Sequence, residues 1–254
     1  MTNRFTKKQV FFDLDDTLID EGYRFELAFC EYLRVIILAF ETRAPQIDEI
    51  LQRARSIDNQ NLTTVPSHEK YLPQRLVKSW ITCYRELCQE HGQEPKAHVE
   101  DLLEAMIIQT YDPPYFIIPG AIEVLNELVR YGRYELHLMT AGAMDIQQKK
   151  VDVTDIGKYF STVHYLPDGN KGKVLADAVA QFGKNYVASV GNSIRTDINP
   201  AIELGVHAIY IPRGTWNYLK IDPISNDFVT IDSISKVPEA LDNWTKATLA
   251  NENL

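Results

Sequence analysis

The stretch Gln9–Asp20, QVFFDLDDTLID, places a short apolar run directly before a group of carboxylates. Apolar residues up to Phe12 are typical of a strand that is covered on both faces of a sheet. Asp13, Asp15 and Asp16 then follow within four positions, and the stretch contains no Lys or Arg to offset their charge. Either a solvated turn or a bound cation would explain this cluster, and the rest of the chain decides between them.

The composition is typical of a soluble globular protein, and its charge balance leaves small molecules as the expected substrates. The 254 residues are 45% hydrophobic and 24% charged, enough for one large domain or for a core with a smaller second domain. Against 35 acidic residues stand 26 Lys and Arg, a net charge of −9. Binding to nucleic acid or to an anionic membrane requires basic patches, so neither is an expected partner. The oligomeric state is not indicated.

The apolar runs and the cysteines point to a reduced, cytoplasmic protein. The run Val35–Phe40 is far shorter than the roughly 20 residues that cross a bilayer. The N-terminal apolar stretch breaks at Asp13 and is a poor signal peptide, so we expect a cytoplasmic location. Cys30, Cys83 and Cys88 have no metal-ligand spacing, and we expect reduced, buried thiols.

Strand-like segments recur along the chain and, from residue 134 onward, alternate mostly with helical patterns. This alternation predicts an α/β fold with a doubly wound parallel sheet covered on both faces. The predicted strands are residues 9–14, 134–140, 161–166, 186–191, 206–211 and, more weakly, 227–231.

The long segment between the first two strands has helical periodicity throughout. Apolar residues at three- and four-residue spacing predict helices at 22–41, 45–57, 68–91 and 97–110. The prolines of YDPPYFIIPG, residues 111–120, then end the helical pattern. An all-helical insertion after the first strand is therefore expected, and a terminal helix begins near Pro238.

Polar residues follow each of the first four predicted strands, at the sheet edge where parallel sheets bind ligands. They are Asp13 and Asp15, then Thr140, then Lys171, then the segment GNSIRTD at 191–197. Taken singly, each has an ordinary explanation as a turn, a helix cap or a surface lysine. Their order and spacing together favour a catalytic site.

The motifs DLDDTL at 13–18 and GNSIRTDINPAIELG from Gly191 resemble those of the haloacid dehalogenase superfamily, specifically its phosphatase branch. The resemblance spans nearly the whole chain. It implies a Rossmann-like core of residues 1–20 and 115–254 and an all-α cap domain of residues 21–114. It also implies magnesium-dependent transfer of a phosphoryl group from a small phosphorylated metabolite to an aspartate, with the cap closing over the substrate to exclude water.

The resemblance gives the neighbouring carboxylates different roles. Asp13 would attack phosphorus and form an aspartyl phosphate. Asp15 lies two residues further, so in extended geometry it points to the same side, and it would act as general acid and base. Asp16 points away and is expected to shape the turn, with Thr17 holding the loop through its hydroxyl.

The resemblance also implies a magnesium site and a phosphate site. Oxygen ligands suit Mg²⁺, and the expected set is Asp13, the backbone carbonyl of Asp15, Asn192 and Asp197. Hydroxyl, backbone N–H and ammonium donors suit a phosphoryl group, and the expected set is Thr140, Ala141, Gly142 and Lys171.

Two positions depart from the family pattern or leave a choice. Asn192 stands where relatives usually have an acidic residue, which predicts weaker magnesium binding. Lys173 is an alternative to Lys171, although Lys171 followed by Gly172 and a helix fits the motif better.

Two other functions remain open. A metal-independent dehalogenase would use the same aspartate, but the dehalogenase branch lacks a carboxylic acid where Asp15 stands. A phosphate- or protein-binding regulator without turnover is the second alternative, and Asn192 leaves room for it.

Specificity is expected to reside in the helical insertion and in the loop at 212–219. Aromatic residues at helical spacing mostly pack against one another, so only some of these side chains would face a substrate. The candidates are Tyr23, Arg24, Phe25, Phe29, Arg75, Lys78, Trp80 and Tyr84.

Overall fold

The computed structural model describes residues 7–213 and 219–252. These residues form two compact units, one of residues 7–21, 115–213 and 220–252, and another dominated by residues 22–114. Most of the loop predicted to contribute to specificity, residues 214–218, lies outside the described residues. No helix within the described residues is both long and apolar enough to span a membrane.

The unit of residues 22–114 is helical. Its helices are α1 (Gly22–Phe40), α2 (Ile47–Thr64), α3 (Pro73–Glu90) and α4 (Ala97–Thr110). Their apolar faces meet in one core, and four candidates for specificity are buried in it: Phe25, Phe29, Trp80 and Tyr84. The rings of Phe29 and Trp80 are 4.8 Å apart, so these aromatic residues pack the bundle.

One cysteine prediction is wrong. Cys83 and Cys88 are buried in this helical core, but Cys30 is exposed. Cys30 lies on α1 between the buried Phe29 and the exposed Glu31, on the solvent-exposed face of the helix.

A buried ion pair joins α2 to α3. Asp58 is fully buried and pairs with Arg75, whose side chain is 10% exposed. The hydroxyl of Ser79 donates a further hydrogen bond to Asp58 Oδ1 at 3.2 Å. Arg75, one of the candidates for specificity, therefore ties two helices together.

The other unit contains a six-stranded, fully parallel sheet. The strand order is β3-β2-β1-β4-β5-β6, which confirms the predicted doubly wound α/β fold. The strands are β1 (Lys8–Phe12), β2 (Tyr134–Ala141), β3 (Thr162–Leu166), β4 (Val187–Gly191), β5 (His207–Tyr210) and β6 (Val229–Thr230).

Helices cover both faces of this sheet, as the apolar sequence of β1 requires. Val10 and Phe12 face one core while Phe11 faces the other, because successive side chains of a strand point to opposite faces. The first core includes α5 (Ala121–Tyr131), α6 (Met144–Thr154) and α9 (Val237–Glu252). The second includes α7 (Lys171–Phe182) and α8 (Asn199–Glu203).

The strand order reverses at β1, which pairs with β2 on one side and β4 on the other. The Asp13 N–H donates to the Val190 carbonyl at 2.9 Å, so the ends of β1 and β4 are fixed side by side. Ligands of open α/β sheets bind in the crevice at such a reversal. The carboxylates after β1 therefore lie where this fold places its ligand sites.

The buried pair in the helical unit gives the first prediction. Arg75→Met should lower the free energy of unfolding by about 3–5 kcal/mol, because it leaves the Asp58 carboxylate buried without Arg75. Urea denaturation followed by circular dichroism measures this. Arg85→Met is the matched control: Arg85 pairs with Glu100 but is 59% exposed, and its loss should cost less than about 1 kcal/mol. Equal losses in both variants would contradict the assignment.

Candidate active site

Asp13 is the first residue after β1, and it is buried against its partners. Its Oδ2 accepts a hydrogen bond from the hydroxyl of Thr17 at 3.1 Å. Its Oδ1 lies 2.5 Å from Nζ of Lys171. Asp13 is thus held by a loop hydroxyl on one oxygen and by an ammonium on the other.

Lys171 joins two carboxylates that are far apart in the sequence. Its Nζ also contacts Asp197 Oδ1 at 2.6 Å, and all three side chains are buried. Asn170 caps α7 by accepting from the N–H of Lys173 at 3.1 Å, so Lys171 begins the helix at the sheet edge. Lys173 is exposed, and the structure brings only Lys171 of the two candidate lysines to Asp13.

Asp197 reaches this cluster because the chain folds tightly back after β4. A π-helical turn, Ile194–Ile198, returns Asp197 to the end of the strand, where its Oδ2 accepts from the N–H of Ser193 at 2.9 Å. A Cβ at Gly191 would lie 2.3 Å from Cγ of Asp197. Glycine is therefore required at the start of GNSIRTD, because any side chain there would displace the carboxylate.

Asn192 faces the carboxylates through its amide. In one orientation its Nδ2 donates to Asp13 Oδ2 at 3.0 Å and to the carbonyl oxygen of Asp15 at 3.2 Å. In the other orientation the amide oxygen faces these two oxygens, and the Thr17 hydroxyl donates to it at 3.4 Å. The amide can thus act as a hydrogen-bond donor to these two oxygens or, in the other orientation, as an oxygen ligand to a cation.

The carboxylate of Asp15 has its own side-chain partners, separate from those of the Asp13 carboxylate. Its Oδ1 pairs with Lys150 Nζ at 2.9 Å and its Oδ2 accepts from Gln147 Nε2 at 2.8 Å. Lys150 Nζ also lies 3.3 Å from Oε1 of Glu21. Asp16 has a positive φ of 58°, which turns the chain after Asp15.

Three further residues of the site are not predicted by the sequence motifs: Gln147, Lys150 and Glu21. Gln147 and Lys150 are one turn apart on α6, and both are buried. Polar residues at this spacing are ordinary on an exposed helix face, and only the strand end beneath α6 makes them part of the site. The one available signal was their distance of a few residues from the predicted phosphate-binding segment TAG.

The predicted phosphate-binding segment lies at the end of β2. Thr140 is fully buried, and its hydroxyl has no hydrogen-bond partner among the described residues. A buried hydroxyl without a partner is costly, and a bound oxyanion would supply one. The N–H of Gly142, a predicted phosphate donor, already has a partner, because it donates to the Leu166 carbonyl at 3.3 Å. The carbonyl oxygen of Ala141 accepts from Gln147 Nε2 at 2.9 Å.

Burial and neighbouring charges perturb the ionisable groups of the site. Burial raises the pKa of Asp13 from 3.8 to about 7, with Lys171 opposing this effect and Asp197 adding to it. Burial alone would lower the pKa of Lys171, but the charges of Asp13 and Asp197 outweigh it and raise that pKa. The pKa of Lys150 is likewise raised, because Asp15 and Glu21 outweigh the effect of its burial. Both lysines are therefore charged.

The donor atoms fit a hard divalent cation. The carboxylate of Asp13, the carbonyl of Asp15 and the amide of Asn192 offer only oxygen when the amide oxygen faces inward, which suits Mg²⁺. No group of three or more His, Cys, Asp or Glu side chains in the described part of the chain has metal-binding geometry, so the fit depends on the carbonyl and the amide. Both oxygens of Asp197 already have partners, Lys171 Nζ at Oδ1 and the Ser193 N–H at Oδ2, so Asp197 would have to share one of them to act as a further ligand.

A family model matches most of the chain. The model described as a haloacid dehalogenase-like hydrolase matches residues 7–205. This range contains every side chain of the candidate site, from Asp13 to Asp197. No curated protein matches the sequence significantly.

Several solved structures have the same fold over nearly the full chain. A haloacid dehalogenase-like family hydrolase from Xanthomonas campestris has a TM-score of 0.72 at 18% identity, covering 96% of this chain and 99% of that one. L-2-haloacid dehalogenase from Xanthobacter autotrophicus has a TM-score of 0.60 at 17% identity, covering 93% and 99%. A predicted phosphoglycolate phosphatase from Haemophilus somnus has a TM-score of 0.58 at 16% identity, covering 92% and 98%. At these identities the likeness establishes the fold and leaves the reaction open.

The burial of Asp13 gives a prediction on stability and pH. Its pKa is higher in the folded protein than in the unfolded chain, so its contribution to stability is present at low pH and is lost as the pH rises through about 7. In the presence of EDTA, the free energy of unfolding should fall by about 2–3 kcal/mol more between pH 5 and pH 8 in the wild type than in Asp13→Asn. Urea denaturation at both pH values measures the difference.

The control for this comparison is Asp145→Asn, which removes an exposed carboxylate on α6. Its pH dependence should follow that of the wild type. Parallel pH dependence in the wild type and Asp13→Asn would show that Asp13 is not perturbed.

Proposed function

Because the chain belongs to the haloacid dehalogenase-like hydrolase family, we propose that it is a magnesium-dependent phosphatase that hydrolyses a small phosphomonoester. The observation that carries this proposal is the pair Asp13 and Asp15, each held by its own lysine at the strand reversal. A phosphatase needs a nucleophile and a separate proton donor, and these two side chains are held apart in different charge environments.

The proposed reaction proceeds in two displacements. An oxygen of Asp13 attacks phosphorus and the bond to the leaving oxygen breaks, while Asp15 as a carboxylic acid gives its proton to that oxygen. Asp15, now a carboxylate, then takes a proton from water as the water oxygen attacks phosphorus. The bond to Asp13 breaks, inorganic phosphate forms, and both carboxyl groups return to their starting states.

The remaining residues stabilise charge on the phosphoryl group. The ammonium of Lys171 and the unpartnered hydroxyl of Thr140 supply donors to its oxygens. Mg²⁺ bound by Asp13, the Asp15 carbonyl and Asn192 would reduce the repulsion between the nucleophile and the phosphate dianion. The raised pKa of Asp13 makes such a cation useful, because Asp13 must be ionised to attack.

The two alternatives are less well supported. A dehalogenase has no need of a proton donor beside its nucleophile, whereas Asp15 is fixed by two side chains here. A binding protein without turnover would have no reason to keep a buried nucleophile paired to a buried lysine. Ion-pair networks with purely structural roles do occur, so the assay below separates the three functions.

The test is release of inorganic phosphate from 4-nitrophenyl phosphate and from a panel of sugar, nucleotide and cofactor phosphates, with Mg²⁺ or with EDTA. We expect Mg²⁺-dependent release, and no release by Asp13→Asn. Lys171→Met should lower kcat at least about 100-fold, because it removes a buried positive charge from the site.

The matched control is Lys173→Met, which removes an exposed lysine two residues away and should stay within about twofold of the wild type. Absence of phosphate release from every substrate would overturn the phosphatase proposal. Chloride release from a 2-haloacid in EDTA would support the dehalogenase instead.

The amide of Asn192 gives a separate prediction. Asn192→Asp adds a charged ligand and should lower the Mg²⁺ concentration for half-maximal activity by about tenfold, since ligand charge sets the affinity of such sites. Isothermal titration with Mg²⁺ provides a readout independent of turnover. Asn126→Asp, an exposed position on α5, is the control. An unchanged Mg²⁺ affinity in Asn192→Asp would exclude position 192 from the metal site.

A further inference from the structure

Two buried polar side chains on α6 have no part in the proposed chemistry. Gln147 and Lys150 are each 3% exposed as whole residues, and both reach the carboxylate of Asp15. Burying an amide and an ammonium is unfavourable unless each is fully paired. Their burial at one carboxylate therefore needs an explanation beyond packing.

Gln147 uses its amide nitrogen twice. Nε2 donates to Asp15 Oδ2 at 2.8 Å and to the carbonyl oxygen of Ala141 at 2.9 Å. Ala141 is the last residue of β2, so Gln147 fixes the Asp15 carboxylate relative to the end of a neighbouring strand.

Lys150 holds the other oxygen of the same carboxylate. Its Nζ lies 2.9 Å from Asp15 Oδ1 and 3.3 Å from Glu21 Oε1. The side chain of Glu21 is 3% exposed and that of Lys150 is 4% exposed, whereas 28% of the Asp15 side chain is exposed. The buried side chains of Gln147 and Lys150 therefore bind a carboxylate that is itself partly exposed to solvent.

Gly142 leaves the space that Gln147 occupies. A Cβ at Gly142 would lie 2.2 Å from Nε2 of Gln147 and 2.7 Å from its Cγ. The backbone there also has a φ of 155°, which side chains rarely adopt. The glycine is therefore required for the contact between Gln147 and Asp15.

We propose that Gln147 and Lys150 are positioning residues for Asp15, holding its carboxyl group in the orientation from which it gives its proton to the leaving oxygen. The inference rests on the proposed phosphatase function. Each carboxylate oxygen has two lone pairs, so one lone pair on each oxygen binds its partner and the others stay available for the proton. The ammonium of Lys150 also pairs with Glu21, so its positive charge is divided between Asp15 and Glu21.

The test compares two aryl phosphates that differ in the basicity of the leaving phenolate. 4-Nitrophenolate is weakly basic and leaves without being protonated, whereas the more basic phenolate of phenyl phosphate needs a proton from Asp15 to leave. For Gln147→Ala and for Lys150→Met, the ratio of kcat/KM for 4-nitrophenyl phosphate to that for phenyl phosphate should rise at least about tenfold over the wild type. Asp15→Asn gives the upper limit of this ratio.

This ratio is independent of the folded fraction of a variant, because both substrates are hydrolysed by the same folded molecules. Lys150→Arg retains the positive charge and should recover part of the wild-type ratio. Gly142→Ala should raise the ratio as Gln147→Ala does, because it displaces Gln147.

Adjacent exposed residues on the same helix provide matched controls. Gln148→Ala and Lys149→Met make the same chemical changes one residue away and should leave the ratio within about twofold of the wild type. Wild-type turnover with an unchanged ratio in both Gln147→Ala and Lys150→Met would overturn the positioning role alone. Absence of turnover in the wild type would overturn the phosphatase function, and the positioning role with it.

Discussion

The contact of Lys171 with Asp13 and Asp197 is the interaction on which the arrangement of this site depends. It joins the residue after β1, the first turn of α7 and the turn after β4 through one ammonium. Desolvating three charged groups is costly, and well-packed apolar side chains would stabilise the fold at least as well. The ion pairs are therefore better explained by the role proposed for Asp13, because they hold its carboxylate at the strand reversal.

The sequence alone predicted the parts of this molecule that repeat a simple pattern. Helix α4 begins and ends at the predicted residues, because its apolar spacing is regular. Helix α2, predicted to end at 57, continues to Thr64 because polar residues of its last turns bind α3. One such contact is the hydrogen bond from Asn61 to Ser79 at 2.9 Å. Helix α3 begins at Pro73 and not at residue 68. A helix that began at 68 would have Pro73 in its interior, where proline breaks the hydrogen bonding, whereas proline is tolerated in the first turn.

The site was predictable to a similar extent and for a similar reason. Asp13, Lys171 and Asp197 follow strands, and parallel strands bring their carboxyl ends to one edge. Gln147 and Lys150 also come soon after a strand, but they lie within α6, and their burial depends on how α6 packs over the end of β2. A spacing of three residues in a helix indicates that two side chains share a face, but it does not indicate which part of the fold that face packs against.

The charges of the site bear on the carboxylate cluster that opens the sequence. The four carboxylates that contact the two lysines are those of Asp13, Asp15, Glu21 and Asp197, so with all ionised the cluster carries −4 + 2 = −2. A divalent cation would bring this sum to zero, and a solvated turn would need no buried lysines. An aspartate at position 192 would add a negative charge beside Asp13, strengthening metal binding but repelling a phosphate dianion. Under the proposed function, the neutral amide of Asn192 would reduce that repulsion at the expense of metal affinity.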